Sequence, residues 1–258
     1  MNKSAILVVS FGTSHPQAMV AIDNLIEAAK ISFPDYEVRL AFTSKIIRNK
    51  LSNAIPNPVE ALAKLNAEDF SEVVIMPTLM IPGQEYDALK NVYEAFKHLT
   101  GKYGFEKLAL GTPFMNTPKD CERWAEILAK LFESEHAGII LMGHGTREHF
   151  AHALYSQLQL ELDRIIYGKF FVGTVETAPD IHDVITNLKR HDEIHKLILS
   201  PLMIVAGEHA NNDLANEWLN ALKANGYENV NVNLKGLGEE KLVASYFVDR
   251  LRKTMSAL

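Results

Sequence analysis

The feature that most constrains this chain is that its two halves repeat each other in order and in spacing. Val9-Ser10-Phe11-Gly12-Thr13 in the first half answers Met142-Gly143-His144-Gly145-Thr146 in the second. Thr43 stands thirty-one residues after Gly12, and Glu176 stands thirty-one residues after Gly145. Further on, Pro77-Thr78-Leu79-Met80-Ile81-Pro82-Gly83-Gln84-Glu85 aligns with Pro201-Leu202-Met203-Ile204-Val205-Ala206-Gly207-Glu208-His209. Each half closes on a similar strand end, Leu110-Gly111-Thr112 and Lys235-Gly236-Leu237. The repeat covers residues 1–115 and 137–258 and implies one fold used twice.

Short β-branched and aliphatic runs give strand candidates at 5–10, 37–42, 72–78, 107–110, 138–142, 170–175, 197–201 and 230–234. Amphipathic segments at 17–31, 86–99, 150–166, 181–188, 213–224 and 241–255 read as helices, and Thr117-Pro118 reads as a helix start. Strand–helix alternation predicts βαβ units, hence parallel sheets covered by helices on both faces. The fold class is therefore α/β: two similar lobes, each a four-stranded parallel sheet flanked by helices. We expect an N-terminal lobe over 1–115 and a C-terminal lobe over 116–258, the last helix being a candidate to pack across onto the first. In open parallel sheets ligands bind beyond the carboxyl ends of the strands. The repeated loops lie at those ends, so the two lobes are expected to face one another across a cleft.

Composition narrows the function classes. The 258 residues are 47% hydrophobic and 22% charged, which is ordinary for a globular chain with a core. A formal charge of −6 gives no general attraction to nucleic acid or to an anionic membrane. Local cations must then meet any anionic substrate. Cys121 is the single cysteine, so neither an internal disulfide nor a multi-cysteine metal site is available. The apolar run at 5–9 is too short for a signal peptide, and the run at 73–82 is too short to span a bilayer. The expected location is the cytoplasm. Monomer and homo-oligomer both remain open.

The chemistry concentrates at strand ends of the second half. His144 follows the 138–142 strand between Gly143 and Gly145, Glu176 ends the 170–175 strand, and His209 follows the Gly207 turn after the 197–201 strand. Two imidazoles and a carboxylate suit a borderline divalent ion such as Co²⁺, Fe²⁺, Ni²⁺ or Zn²⁺, and three protein donors leave positions open for substrate. The first half carries Phe11, Thr43 and Glu85 at the matching places, so only one lobe holds the donor set. Glu85 is a candidate proton acceptor or cation guide. Lys45, Arg48 and Arg147 lie beside the repeated loops and are candidates to neutralise substrate carboxylates. His149 and His152, three apart in one helical segment, are the remaining pair with donor chemistry and read more simply as a partly exposed face. No P-loop, Gly-x-Gly-x-x-Gly, Gly-x-Ser-x-Gly or Cys-x-x-Cys occurs, which leaves nucleotide, serine-hydrolase and redox readings without support.

These motifs together are similar to those of the anaerobic cobaltochelatases of the CbiK type. The resemblance rests on residues 7–14, 41–44, 83–86, 142–145 and 175–176 and on the run from Pro201 to Asp213, and it extends to Gly236-Leu237-Gly238-Glu239. It implies the two-lobed chelatase fold shared with ferrochelatases. It also implies insertion of Co²⁺, as the substrate metal, into sirohydrochlorin on the anaerobic route to cobalamin, with no organic cofactor. In that family a His, a Glu and a His bind the metal at the positions falling here on His144, Glu176 and His209, and an acidic residue is implicated at the position of Glu85. His144 and His209 are thereby expected to act in catalysis as well. The alternatives are an iron or nickel chelatase of the same fold, and a tetrapyrrole or metal carrier without turnover.

Overall fold

The computed structural model describes residues 3–147, 149–207, 210–256 and 258. The chain forms two compact units, Met1–Phe114 together with Gly238–Leu258, and Met115–Leu237. The final helix therefore belongs to the first unit.

In the first unit the strands are β1 (Lys3–Ser10), β2 (Tyr36–Phe42), β3 (Phe70–Pro77) and β4 (Lys107–Leu110), in the spatial order β2-β1-β3-β4. All three pairings are parallel. The helices are α1 (Pro16–Ser32), α2 (Lys45–Lys50), α3 (Pro58–Ala67) and α4 (Gln84–Lys97). In β1, Ala5 through Val9 are completely buried, as a central parallel strand covered on both faces requires. Its Ala5, Leu7 and Val9 pack in one cluster with Leu62 and Leu65 of α3 and Tyr86 and Leu89 of α4.

The second unit carries β5 (Gly138–Gly143), β6 (Phe170–Thr174), β7 (Leu197–Pro201) and β8 (Val230–Val232) in the order β6-β5-β7-β8, again all parallel. Its helices are α5 (Pro118–Leu131), α6 (Ala153–Ile165), α7 (Ile181–Leu188), a π-helix over Ala210–Trp218 and α8 (Leu219–Ala224). Ile140 and Met142 pack with Val184 and Leu188 of α7 and with Leu214, Trp218 and Leu222. The two sheets thus share strand order and direction, as the duplication predicts.

The last helix, α9 (Lys241–Met255), packs on α1 within the first unit. Its Arg250 is a buried cation. The guanidinium donates to the carbonyls of Thr112, Pro113 and Phe114, to the Thr112 hydroxyl and to Tyr246 Oη, so it satisfies the chain as it leaves β4.

Helix ends follow local chemistry. Thr117 and Asp120 form the capping box expected at the start of α5. Asn57 and Glu60 form another at α3, each accepting from the other's main-chain N–H at 2.9 Å. α3 is not among the expected helices, although Asn57-Pro58-x-Glu60 is a helix-start signature. Nor is α2, whose six residues are too few to show a period. The segment expected as one helix from 150 begins instead with a 3₁₀ turn over Phe150–His152, and that expected from 213 begins as the π-helix.

Candidate metal centre

In an order such as β2-β1-β3-β4 the chain leaves the central strand toward opposite sides, and ligands gather beyond the carboxyl ends there. In the second unit the matching end is Gly143-His144-Gly145. Gly143 must be glycine: a Cβ there would lie 2.3 Å from Cε1 of Tyr155, whose side chain is fully buried. Gly145 has φ +88°, and a Cβ on it would lie 2.9 Å from Thr174 Oγ1. Both glycines let His144 sit on a turn held against its neighbours.

The ladder between β5 and β6 continues past the strands. Val175 N–H donates to the Gly143 carbonyl and Glu176 N–H to the His144 carbonyl, each at 3.1 Å. Thr174 closes the Glu176 loop from within: its N–H donates to the Pro179 carbonyl at 2.7 Å and its hydroxyl to the Thr177 carbonyl. These constraints leave His144 Nδ1 at 4.0 Å from Glu176 Oε2, with side chains 44% and 30% exposed. Donors held about 2.1 Å from a tetrahedral ion lie about 3.4 Å apart. The pair is thus within about 0.6 Å of a chelating spacing, a distance that side-chain rotation covers.

Among the described residues no three His, Cys, Asp or Glu side chains converge on one point. His209, the third expected donor, lies outside the described residues, as does its neighbour Glu208. Arg147, on the same loop as His144, is exposed.

The first unit shows what the same scaffold does without donors. Phe11 takes the place of His144 and is 42% exposed. Ser44 N–H donates to the Phe11 carbonyl at 3.2 Å, as Glu176 N–H does to His144, and Ser10 pairs with Phe42 as Gly143 pairs with Thr174. The structural counterpart of Glu176 is therefore Ser44, one residue beyond the Thr43 that sequence spacing proposes. Ser44 instead caps α2 by accepting from Ile47 N–H. The Thr43 hydroxyl is buried without a hydrogen-bond partner among the described residues. Glu85 is exposed in the first turn of α4, where the helix dipole favours a carboxylate. Lys45 is exposed, whereas Arg48 is 12% exposed and lies 3.6 Å from Glu60.

Two side chains at the head of α6 join this arrangement. The Tyr155 hydroxyl accepts from Gly145 N–H at 3.4 Å, and burial pushes its pKa up to about 12, so it stays neutral. His152 directs Nε2 at the Ala178 carbonyl on the Glu176 loop, and its ring packs 5.6 Å from that of Tyr155. His149 accepts from Ala151 N–H through Nδ1, so the two histidines point at separate partners and do not form a pair of metal donors. Their spacing was visible in the sequence, but the loop that His152 touches was not.

The model of the cobalt chelatase (CbiK) family matches residues 4–256. The chain belongs to that family. Two full-length relatives agree. The sirohydrochlorin cobaltochelatase of Salmonella typhimurium is 32% identical, with 98% of this chain and 97% of that one covered. The sirohydrochlorin cobaltochelatase CbiKC of Nitratidesulfovibrio vulgaris is 30% identical, with 100% and 93% covered. Among solved structures, SirB from Bacillus subtilis with Fe³⁺ superposes with a TM-score of 0.65 at 16% identity, covering 98% of this chain and 95% of that one. CbiX, described as the terminal enzyme of siroheme biosynthesis in denitrifying bacteria, gives 0.61 at 21% identity, covering 96% and 98%. At such identities these two bear on the fold of the CbiK-family chain alone.

Proposed function

We propose that the chain inserts Co²⁺ into sirohydrochlorin in cobalamin biosynthesis, with the ion held by His144, Glu176 and His209. The observation that carries the site is the approach of His144 Nδ1 and Glu176 Oε2 to 4.0 Å at the carboxyl ends of adjacent strands. Family membership and the shared name of both relatives support the reaction. A hydrated cation must shed water while the macrocycle loses two pyrrole protons. Three protein donors replace part of the hydration shell and fix the direction of approach. His144 and His209 take up protons as the ion transfers, and Glu85 serves as a further acceptor or guides the cation. Phe11 and Thr43 border the macrocycle, and Lys45, Arg48 and Arg147 are the cations for its carboxylates. The reaction uses no organic cofactor and proceeds in the cytoplasm. No described helix is long and apolar enough to cross a membrane.

The test is spectroscopic metallation of sirohydrochlorin by Co²⁺, compared with the uncatalysed rate and with Fe²⁺ and Ni²⁺. Acceleration greatest with Co²⁺ is the expected result. Faster turnover with another ion would reassign the metal, and stoichiometric binding without acceleration would make the protein a carrier.

A further inference from the structure

The head of α6 reaches both donor loops at once. Tyr155 underlies Gly143 and accepts from Gly145 N–H, which steadies the turn carrying His144. One helical turn earlier, His152 Nε2 meets the Ala178 carbonyl, two residues beyond Glu176. A carbonyl only accepts, so that nitrogen carries the proton. His152 Nδ1 is buried with no partner among the described residues, which leaves Nε2 as the working atom of the ring. The two rings pack at 5.6 Å and 51°, so the arms are braced against each other.

We propose that His152 is a positioning residue: by tying the Glu176 loop to the 3₁₀ turn that leads into α6, it fixes the distance between the Glu176 and His144 side chains that a divalent cation needs. This rests on His144 and Glu176 holding the substrate metal. His152 is not among the proposed donors; its contacts are the Ala178 carbonyl and the Tyr155 ring. It acts on the ion through Glu176, because the Ala178 carbonyl that it meets lies on the Glu176 loop. Groups that orient metal donors commonly change metal affinity by about 10–100-fold.

The test compares His152→Gln, whose amide N–H₂ replaces the donor, with His152→Met, of similar length but without one. Co²⁺ binding is followed by calorimetry without tetrapyrrole, alongside KM for each substrate and thermal stability. His152→Met is expected to weaken Co²⁺ binding about 10-fold and to raise KM for Co²⁺ while leaving KM for the tetrapyrrole unchanged. His152→Gln is expected to restore most of the loss. Should His152→Met not fold, His152→Phe keeps a ring against Tyr155 and carries the same comparison. Wild-type Co²⁺ affinity in His152→Met or in His152→Phe, or an equal rise in both KM values without rescue by Gln, would overturn the proposal. His144→Ala and Glu176→Gln run in parallel: if they bind Co²⁺ normally, the metal site is misplaced and the brace falls with it. If they lose binding while His152→Met does not, the brace alone falls.

Discussion

The main-chain N–H of Glu176 donates to the carbonyl of His144 at 3.1 Å, which makes the two donor-bearing residues neighbours on a ladder that runs past the ends of β5 and β6. The ladder fixes the separation of their main chains, and the loops beyond it set where the two side chains stand. The first unit has the same bond from Ser44 to Phe11, so one scaffold presents a donor pair in one unit and none in the other.

Removing a donor is expected to cost binding without costing the fold. His144→Ala, Glu176→Gln and His209→Ala should each lower Co²⁺ affinity by more than about 10-fold and leave chelation nearly abolished. His144 and Glu176 are strand-end side chains, partly exposed, so their thermal midpoints should stay within a few degrees of wild type. Calorimetric titration with Co²⁺ and thermal melts check both halves.

Gly143→Ala places a Cβ 2.3 Å from Tyr155 Cε1, and the buried ring has nowhere to go. The expected cost is about 1–3 kcal/mol of stability. Adding Tyr155→Leu should recover part of it, because the clash is shared by the two side chains. Denaturant unfolding of the single and double variants decides; additive losses would place the strain elsewhere.

Lys45→Ala and Arg147→Ala remove exposed cations and are expected to raise KM for sirohydrochlorin more than they lower kcat. Arg48 differs. Its side chain is 12% exposed and 3.6 Å from Glu60, so Arg48→Ala should also lose about 1 kcal/mol or more of stability. Unchanged KM in all three variants would remove the electrostatic account of substrate binding.

Stability should fall at alkaline pH. Burial raises the pKa of Tyr155 from 10.0 to about 12 and that of Cys121 from 9.0 to about 12. A group whose pKa is raised by folding favours the folded state below its unfolded value and loses that contribution as pH climbs to the folded value. The window runs from about pH 9 to 12, each tenfold difference in proton affinity being worth about 1.4 kcal/mol. Unfolding midpoints across that range test the slope. The Cys121 thiol should also stay unreactive toward a disulfide reagent at pH 8 until the chain is unfolded.

Arg250→Met strips the carbonyls of Thr112, Pro113 and Phe114 of a shared donor. A buried acceptor left unpaired costs about 1–3 kcal/mol, so the expected loss is several kcal/mol, read as a lower melting temperature. A melt within a degree of wild type would show that water replaces the guanidinium.

The sequence alone determined the duplication, the parallel α/β class and the strands, because a buried parallel strand is written as a short aliphatic run and a repeat needs only order and spacing. β4 and β7 fall at the residues expected from such runs. It also singled out His144, Glu176 and His209, since donor chemistry at the ends of successive strands is legible in one dimension. What spacing cannot carry is register. Ser10 pairs with Phe42 and Gly143 with Thr174, a difference of one residue that shifts the counterpart of Glu176 from Thr43 to Ser44. Nor does composition show which polar group meets which carbonyl. Arg250 is 136 residues from the Phe114 carbonyl that it satisfies, and His152 is 26 residues from the loop it ties. Those pairings exist only once helices dock on sheets, because a hydrogen bond is decided by position in space, and position in space is what the tertiary structure adds.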